Sequence, residues 1–209
     1  MKKDLHFPRN FWITAGMSAF AALLAIAFPS KHRLLAFFAM VLSSLGDLAL
    51  MNFMGIFQKI RLNGFITGGV LFLLSHLTYA AAFSCLMAEN GLRIGGIGLV
   101  MALALWLLAF ISLTALSIRH KQFGWLKILL FACYLTAITV HCACNFSCSV
   151  GLTQLSPANT WRLIGAVGAV LFWISDYFIG LDRVAGIPDF GRYIWRFYTA
   201  GQILILIAA

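Results

Sequence analysis

Acidic side chains are rare in this chain. Six Asp and Glu stand against fifteen Lys and Arg in 209 residues, and charged residues of both signs reach only 10%. A soluble domain carries about 25%. With 62% hydrophobic residues, too little polar surface exists to meet water on every side, so a soluble globule is excluded and an integral membrane protein is indicated. Long polar connections are lacking as well. The apolar segments take up most of the length, which predicts one transmembrane helical domain over residues 1–209 and no appended soluble domain.

A disulfide framework is also missing. Cys85, Cys133, Cys142, Cys144 and Cys148 cannot all pair within one chain and lie in or beside apolar segments. Only Cys144 and Cys148, near a predicted helix end, leave room for a bridge. No second ligand pair with zinc-type spacing accompanies His141-Cys142-Ala143-Cys144 and Cys148, so this cluster reads as a small-residue helix end rather than a soft-metal site. Internal repeats of the kind many transporters show are absent. The formal net charge of +9 would suggest nucleic acid in a soluble protein. Here the basic residues sit at segment ends, where they meet anionic headgroups, so membrane lipids are the expected partners and nucleic acid is not.

What is present is a series of apolar runs. They cover Phe11 to Phe28, about Leu34 to Asn52, Gly64 to Met87, Ile94 to Ile118, Trp125 to Cys144, Leu163 to Gly180, and Tyr193 to the C-terminus. The fold class expected is all-α, a polytopic membrane bundle of seven transmembrane helices. Ala25 and Ala27 offer a signal-peptide cleavage pattern, but the first run exceeds the usual length of about 7–15 residues and reads as a span. Pro29 to Arg33 is expected to form a tight turn, and a Ser/Thr/Asn/Pro loop is expected to end near Thr160. The fourth run is the most featureless and is expected to face lipid.

Basic residues choose the orientation. A cytoplasmic N-terminus puts eleven of the fifteen inside, among them Lys2, Lys3, Arg9, Lys59, Arg61 and Arg183, and leaves Lys31, Arg33, Arg93 and Arg162 outside. Tyr193, Trp195 and Phe197 beside Arg192 and Arg196 fit an aromatic belt on the inner side, and a bacterial inner membrane is the expected location.

Two acids lie well inside apolar runs: Asp47, in Ser43-Ser44-Leu45-Gly46-Asp47, and Asp176, in the run that begins at Leu163. A carboxylate is costly in hydrocarbon, so each is expected to face the protein interior or water and to be functional. The spans that carry them both run inward, which places Asp47 about 7–8 Å before the cytoplasmic end at 1.5 Å per residue and Asp176 at a similar depth. Tyr198 lies near that level, with His76 and Gln202 somewhat deeper. Gly165, Gly168, Ala169, Phe172 and Asp176 share one helix face, as do Phe72, His76, Tyr79 and Phe83. Gly46 and Gly168 permit close helix contact. Two carboxylates in a low-dielectric site cannot cheaply both ionise, so the pair can hold an acid and a base together near neutral pH. The same aspartates could instead bridge helices through Ser, Tyr or His as purely structural groups.

Four motifs in order resemble those of the YhhN-like lysoplasmalogenase family. They are Ser44-Leu45-Gly46-Asp47-Leu48-Ala49-Leu50, Phe72-Leu73-Leu74-Ser75-His76-Leu77-Thr78-Tyr79, Gly165-Ala166 through Leu171-Phe172-Trp173-Ile174-Ser175-Asp176, and Tyr198-Thr199-Ala200-Gly201-Gln202-Ile203-Leu204-Ile205. The resemblance implies a multi-pass membrane enzyme that hydrolyses the vinyl ether bond of lysoplasmalogens, releasing a fatty aldehyde and glycerophosphoethanolamine or glycerophosphocholine. It implies a lysophospholipid substrate, with Asp47 and Asp176 as the catalytic pair and His76, Tyr79 and Gln202 at the family's other polar positions. Ser43, Ser44, Phe172 and Tyr198 are expected to line or support the site. The chain departs from the pattern in two places. Members usually have eight spans, one begun by a Lys-Pro pair, whereas His32 follows Lys31 here, and His141 with its cysteines stands where apolar residues are expected.

Vinyl ether chemistry then suggests Asp176, near Phe172 and Trp173, as the acid and Asp47, beside Ser43, Ser44 and Gly46, as the base, with no metal or other cofactor. Arg183, Arg192, Arg196, Lys59 and Arg61 lie at the same face and either hold the substrate phosphate or anchor the protein. A proton-coupled transporter would use the same buried set. A zinc hydrolase would take three ligands from Asp47, His76, Asp176 and His141.

Overall fold

A computed structural model describes residues 9–51, 63–188 and 190–209. Lys2, Lys3, Lys59 and Arg61, and the last residue of the second apolar run, Asn52, lie outside the described residues. The helices are α1 (Arg9–Ala27), α2 (Lys31–Leu50), α3 (Gly64–Glu89), α4 (Gly96–Arg119), α5 (Trp125–Leu155), a 3-10 helix (Pro157–Arg162), α6 (Leu163–Arg183) and α7 (Gly191–Ala208). No strand occurs among the described residues, and six helices are long and apolar enough to cross a membrane. The chain is an all-helical, multi-pass membrane protein.

Two boundaries differ from the sequence expectation. Ser30 adopts an extended backbone and its hydroxyl accepts the Arg33 N–H at 3.3 Å, an N-cap that starts α2 at Lys31. Lys31, His32 and Arg33 are therefore the first helical turn rather than part of a loop. Further along, α5 does not stop at Cys144 but continues to Leu155. Its hydroxyl side chains bond within the helix, as Thr139 does to the Leu135 carbonyl and Thr153 to the Ser149 carbonyl, both at 2.9 Å. Asn145, Ser147 and Ser149 are buried between helices. Polar residues that find partners inside the bundle do not need a loop.

Packing fixes the order of the bundle. α2 lies along α3 and α6 along α7, while α5 touches α3, α4 and α6, and α1 closes against α2 and α7. A Cβ on Gly46 would come within 2.8 Å of the Phe72 ring, so only glycine lets α2 approach α3 here. Gly168 and Gly201 form a reciprocal contact: a Cβ on either would stand 2.8 Å from the other's carbonyl oxygen. α4 lies outermost and exposes Val100, Leu103, Leu108 and Ile111, as a lipid-facing helix should. All five cysteines are free, Cys144 and Cys148 included, so no bridge joins them.

Candidate active site

Asp47, on α2, accepts two hydrogen bonds at one oxygen. Thr14 on α1 donates to Oδ2 at 2.7 Å and the Tyr198 hydroxyl on α7 donates to it at 2.9 Å. Asp176, on α6, meets α3 and α5 instead. Its Oδ2 lies 3.0 Å from His76 Nε2, and the other ring nitrogen of His76, Nδ1, lies 3.2 Å from Nδ1 of His141 on α5. Tyr134, also on α5, packs its ring edge-on against His76, with the centroids 5.8 Å apart. Six helices thus converge on the two acids and their partners.

Both carboxyl groups line a single cavity of about 200 Å³, together with Phe72, Ser175, Trp195 and Tyr198, with Asp182 and Arg183 also in its wall. Asp47, His76, Asp176 and Tyr198 are all buried. The Phe172 ring packs 4.5 Å from His76 and 5.4 Å from Tyr198, between the partners of the two acids. Trp173 turns away, into a second apolar cluster with Leu135 and Ile138. Of the cations expected to meet a phosphate, Arg183 reaches the cavity, Arg192 donates to the Tyr193 hydroxyl at 2.9 Å, and Arg196 does not line it.

The remaining sequence candidates fall elsewhere. Tyr79 donates to Gln202 Oε1 at 2.6 Å, Gln202 Nε2 donates to Ser43 at 3.0 Å, and Ser43 lies 2.7 Å from Ser75, which donates to the Ala39 carbonyl at 2.8 Å. With the Ser75 proton committed to a carbonyl, Ser43 must donate to Ser75, so the chain of bonds has one direction. Ser43 precedes Asp47 by four residues and Gln202 follows Tyr198 by four, which puts this network one helical turn away from the acids. Ser44 faces α1 and lies 2.6 Å from Ser18. Ser43 and Ser44 therefore flank Asp47 in sequence without touching its carboxyl group. Among the described residues, no three His, Cys, Asp or Glu side chains are grouped to hold a metal ion.

Three contacts were not expected from the sequence. Thr14 belongs to the buried face Thr14, Met17, Ala21 of α1, a spacing that was readable. Tyr134 and His141 are seven residues apart and so share a face of α5. His141 stacks on Tyr79 at 5.1 Å between ring centroids.

No solved structure matches this chain. Lysoplasmalogenase TMEM86A of Bos taurus is 27% identical to it over 183 residues, 87% of this chain and 66% of the relative. The chain thus spans just under two thirds of the length of that curated relative. The profile of the YhhN family matches residues 10–209, nearly the whole chain and all four motifs quoted above, and the protein belongs to that family.

Proposed function

We propose that the protein is a membrane-embedded lysoplasmalogenase that hydrolyses the vinyl ether bond of a lysophospholipid to a fatty aldehyde and a glycerophospho-base. The observation that carries this reading is the convergence of Asp47 and Asp176, both buried and carried by α2 and α6, on one cavity. The relative named lysoplasmalogenase supports the bond type.

The mechanism balances with the two acids alone. Asp176, protonated, gives its proton to the alkenyl carbon β to the ether oxygen, and an oxocarbenium ion forms. Asp47, ionised and held by the Thr14 and Tyr198 hydroxyls, takes a proton from water as that water attacks the cation. In the hemiacetal, Asp176 recovers a proton from the new hydroxyl while Asp47 returns its proton to the departing glycerol oxygen. Aldehyde and alcohol leave, and both acids are back in their starting states. His76 accepts the Asp176 proton in a hydrogen bond at rest and fixes the carboxyl toward the cavity.

The test is aldehyde release from a lysoplasmalogen by purified protein in detergent, with product identified by mass. Absence of aldehyde from a folded preparation across ethanolamine and choline headgroups overturns the reading. The N-terminus is cytoplasmic and the host membrane is a bacterial inner membrane in this account. A periplasm-active phosphatase fused after Ala209 should be active there, and an inactive phosphatase with a fluorescent cytoplasmic reporter reverses the orientation.

A further inference from the structure

A second cleft, of about 290 Å³, adjoins the first and is walled almost wholly by apolar side chains. α3 forms one side, α6 the other, and α5 the floor through Phe131 and Tyr134. The two cavities share Leu50, Phe65, Phe72, Asp176, Ile179 and Arg183, so Asp176 stands where the space that holds both acids meets a greasier one. The outer rim is open: Ile66, Val70 and Leu130 are each more than half exposed, on the surface that faces hydrocarbon. Lys127 and Arg183 lie at the end of the cleft formed by the start of α5 and the last residues of α6. Arg183 is seven residues beyond Asp176, about 10 Å along the helix, and helical side chains tilt back toward the N-terminus. A phosphate at its guanidinium therefore lies within a glycerol's reach of Asp176.

We infer that this cleft between α3, α5 and α6 is the binding site for the hydrocarbon chain of a single-chain phospholipid, which enters sideways from the bilayer with its phosphate at Arg183. The inference rests on the hydrolase reading for its substrate class but not for its geometry. A lipid bent at Asp176 puts its headgroup in the cavity that holds both acids, its ether carbon at Asp176 and its chain in the cleft. Arg183 is exposed, and among the described residues its ion pair is with its neighbour Asp182 at 3.1 Å while it lies over the Phe65 ring, a surface arrangement that a phosphate can replace. Gly69 sets the width: nothing lies within 4 Å of a Cβ placed there, so a side chain at that position would project into open cleft without striking the fold.

Binding of saturated 1-O-alkyl lysophospholipids, which have the shape of the substrate but no vinyl bond to cleave, tests the site apart from the chemistry. Gly69→Trp should weaken a sixteen-carbon chain by about tenfold while an eight-carbon chain is weakened much less. Arg183→Gln should weaken the phosphate-bearing lipid and leave the corresponding alkylglycerol unchanged. In the unaltered protein, the sixteen-carbon lipid should slow alkylation of Cys133, the exposed cysteine in the cleft wall, by N-ethylmaleimide, and leave Cys85 unaffected. That measurement decides the matter if Gly69→Trp does not fold. Equal loss for both chain lengths, or an unprotected Cys133, overturns the cleft even where aldehyde is released. Chain-selective binding with no aldehyde from the alkenyl lipid keeps the cleft and removes the hydrolase.

Discussion

His76 Nε2 lies 3.0 Å from Oδ2 of Asp176, a contact that joins two helices across a hundred positions of sequence. His76 makes it from a fully buried position, with His141 behind it and Phe172 against its face. If the imidazole holds the acid in place, a side chain that can still hydrogen-bond should keep part of the rate. His76→Gln is expected to retain measurable turnover, whereas His76→Phe should lower kcat by about 10²-fold with KM little changed. Equal losses in the two variants would mean that the imidazole itself is required.

Asp47→Asn and Asp176→Asn should each abolish aldehyde release, a fall of at least about 10²-fold. Asn keeps the shape and most hydrogen bonds, so both variants should elute and melt much as the parent does. Full activity in either one removes that residue from the chemistry.

Tyr198→Phe removes one of two donors to Asp47. It should cut kcat by about ten- to a hundredfold, the order of one hydrogen bond to a charged group at roughly 1.5–3 kcal/mol. Thr14→Val should do the same, and the double variant should lose more than either. An unchanged rate in both single variants would mean that the ionised form of Asp47 needs no donors.

Gln202→Leu should act on stability more than on chemistry. It leaves the buried Tyr79 hydroxyl without its acceptor and Ser43 with only its bond to Ser75, at a cost of about 1–3 kcal/mol. Thermal unfolding in detergent should show a lower Tm, with kcat near the parent value at temperatures where the protein stays folded. A lost kcat at unchanged Tm would move this layer into the catalytic site.

Gly168→Val should affect both properties. The added methyl groups meet the Gly201 carbonyl and the backbone of Ile205, which forces α6 from α7 and draws Tyr198 from Asp47. A lower Tm and a lower kcat are expected together, read by the same melting and aldehyde assays.

The helices could be read in the sequence because a run long enough to span hydrocarbon has few other uses. Asp47 and Asp176 were legible for a related reason: an acid inside such a run is costly, so its presence already singles it out. Partner choice was less visible. Helical spacing says that Ser43 and Asp47 share a face, but not that one meets Gln202 and the other Tyr198, because that depends on how α7 is rotated against α2. Thr14 and Tyr134 carry no cost signal comparable to an acid's, and His141 stood out only as a polar departure and a possible metal ligand, not as the neighbour of His76. The end of α5 was misplaced because Asn145, Ser147 and Ser149 look like loop residues until their surroundings are known to be protein rather than water.

The length of α5 bears on how the molecule sits in its bilayer. Its 31 residues rise about 46 Å at 1.5 Å each, against roughly 30 Å of hydrocarbon. Tilt alone would need an angle near 50°, beyond the roughly 0–40° range that spanning helices adopt, so at least the final turn projects into the headgroups or past them. That overhang lies at the opposite end of α5 from Lys127. A helix of this length makes the molecule lopsided about the midplane, with the cavity of Asp47 and Asp176 toward one leaflet and the end of α5 reaching past the hydrocarbon of the other.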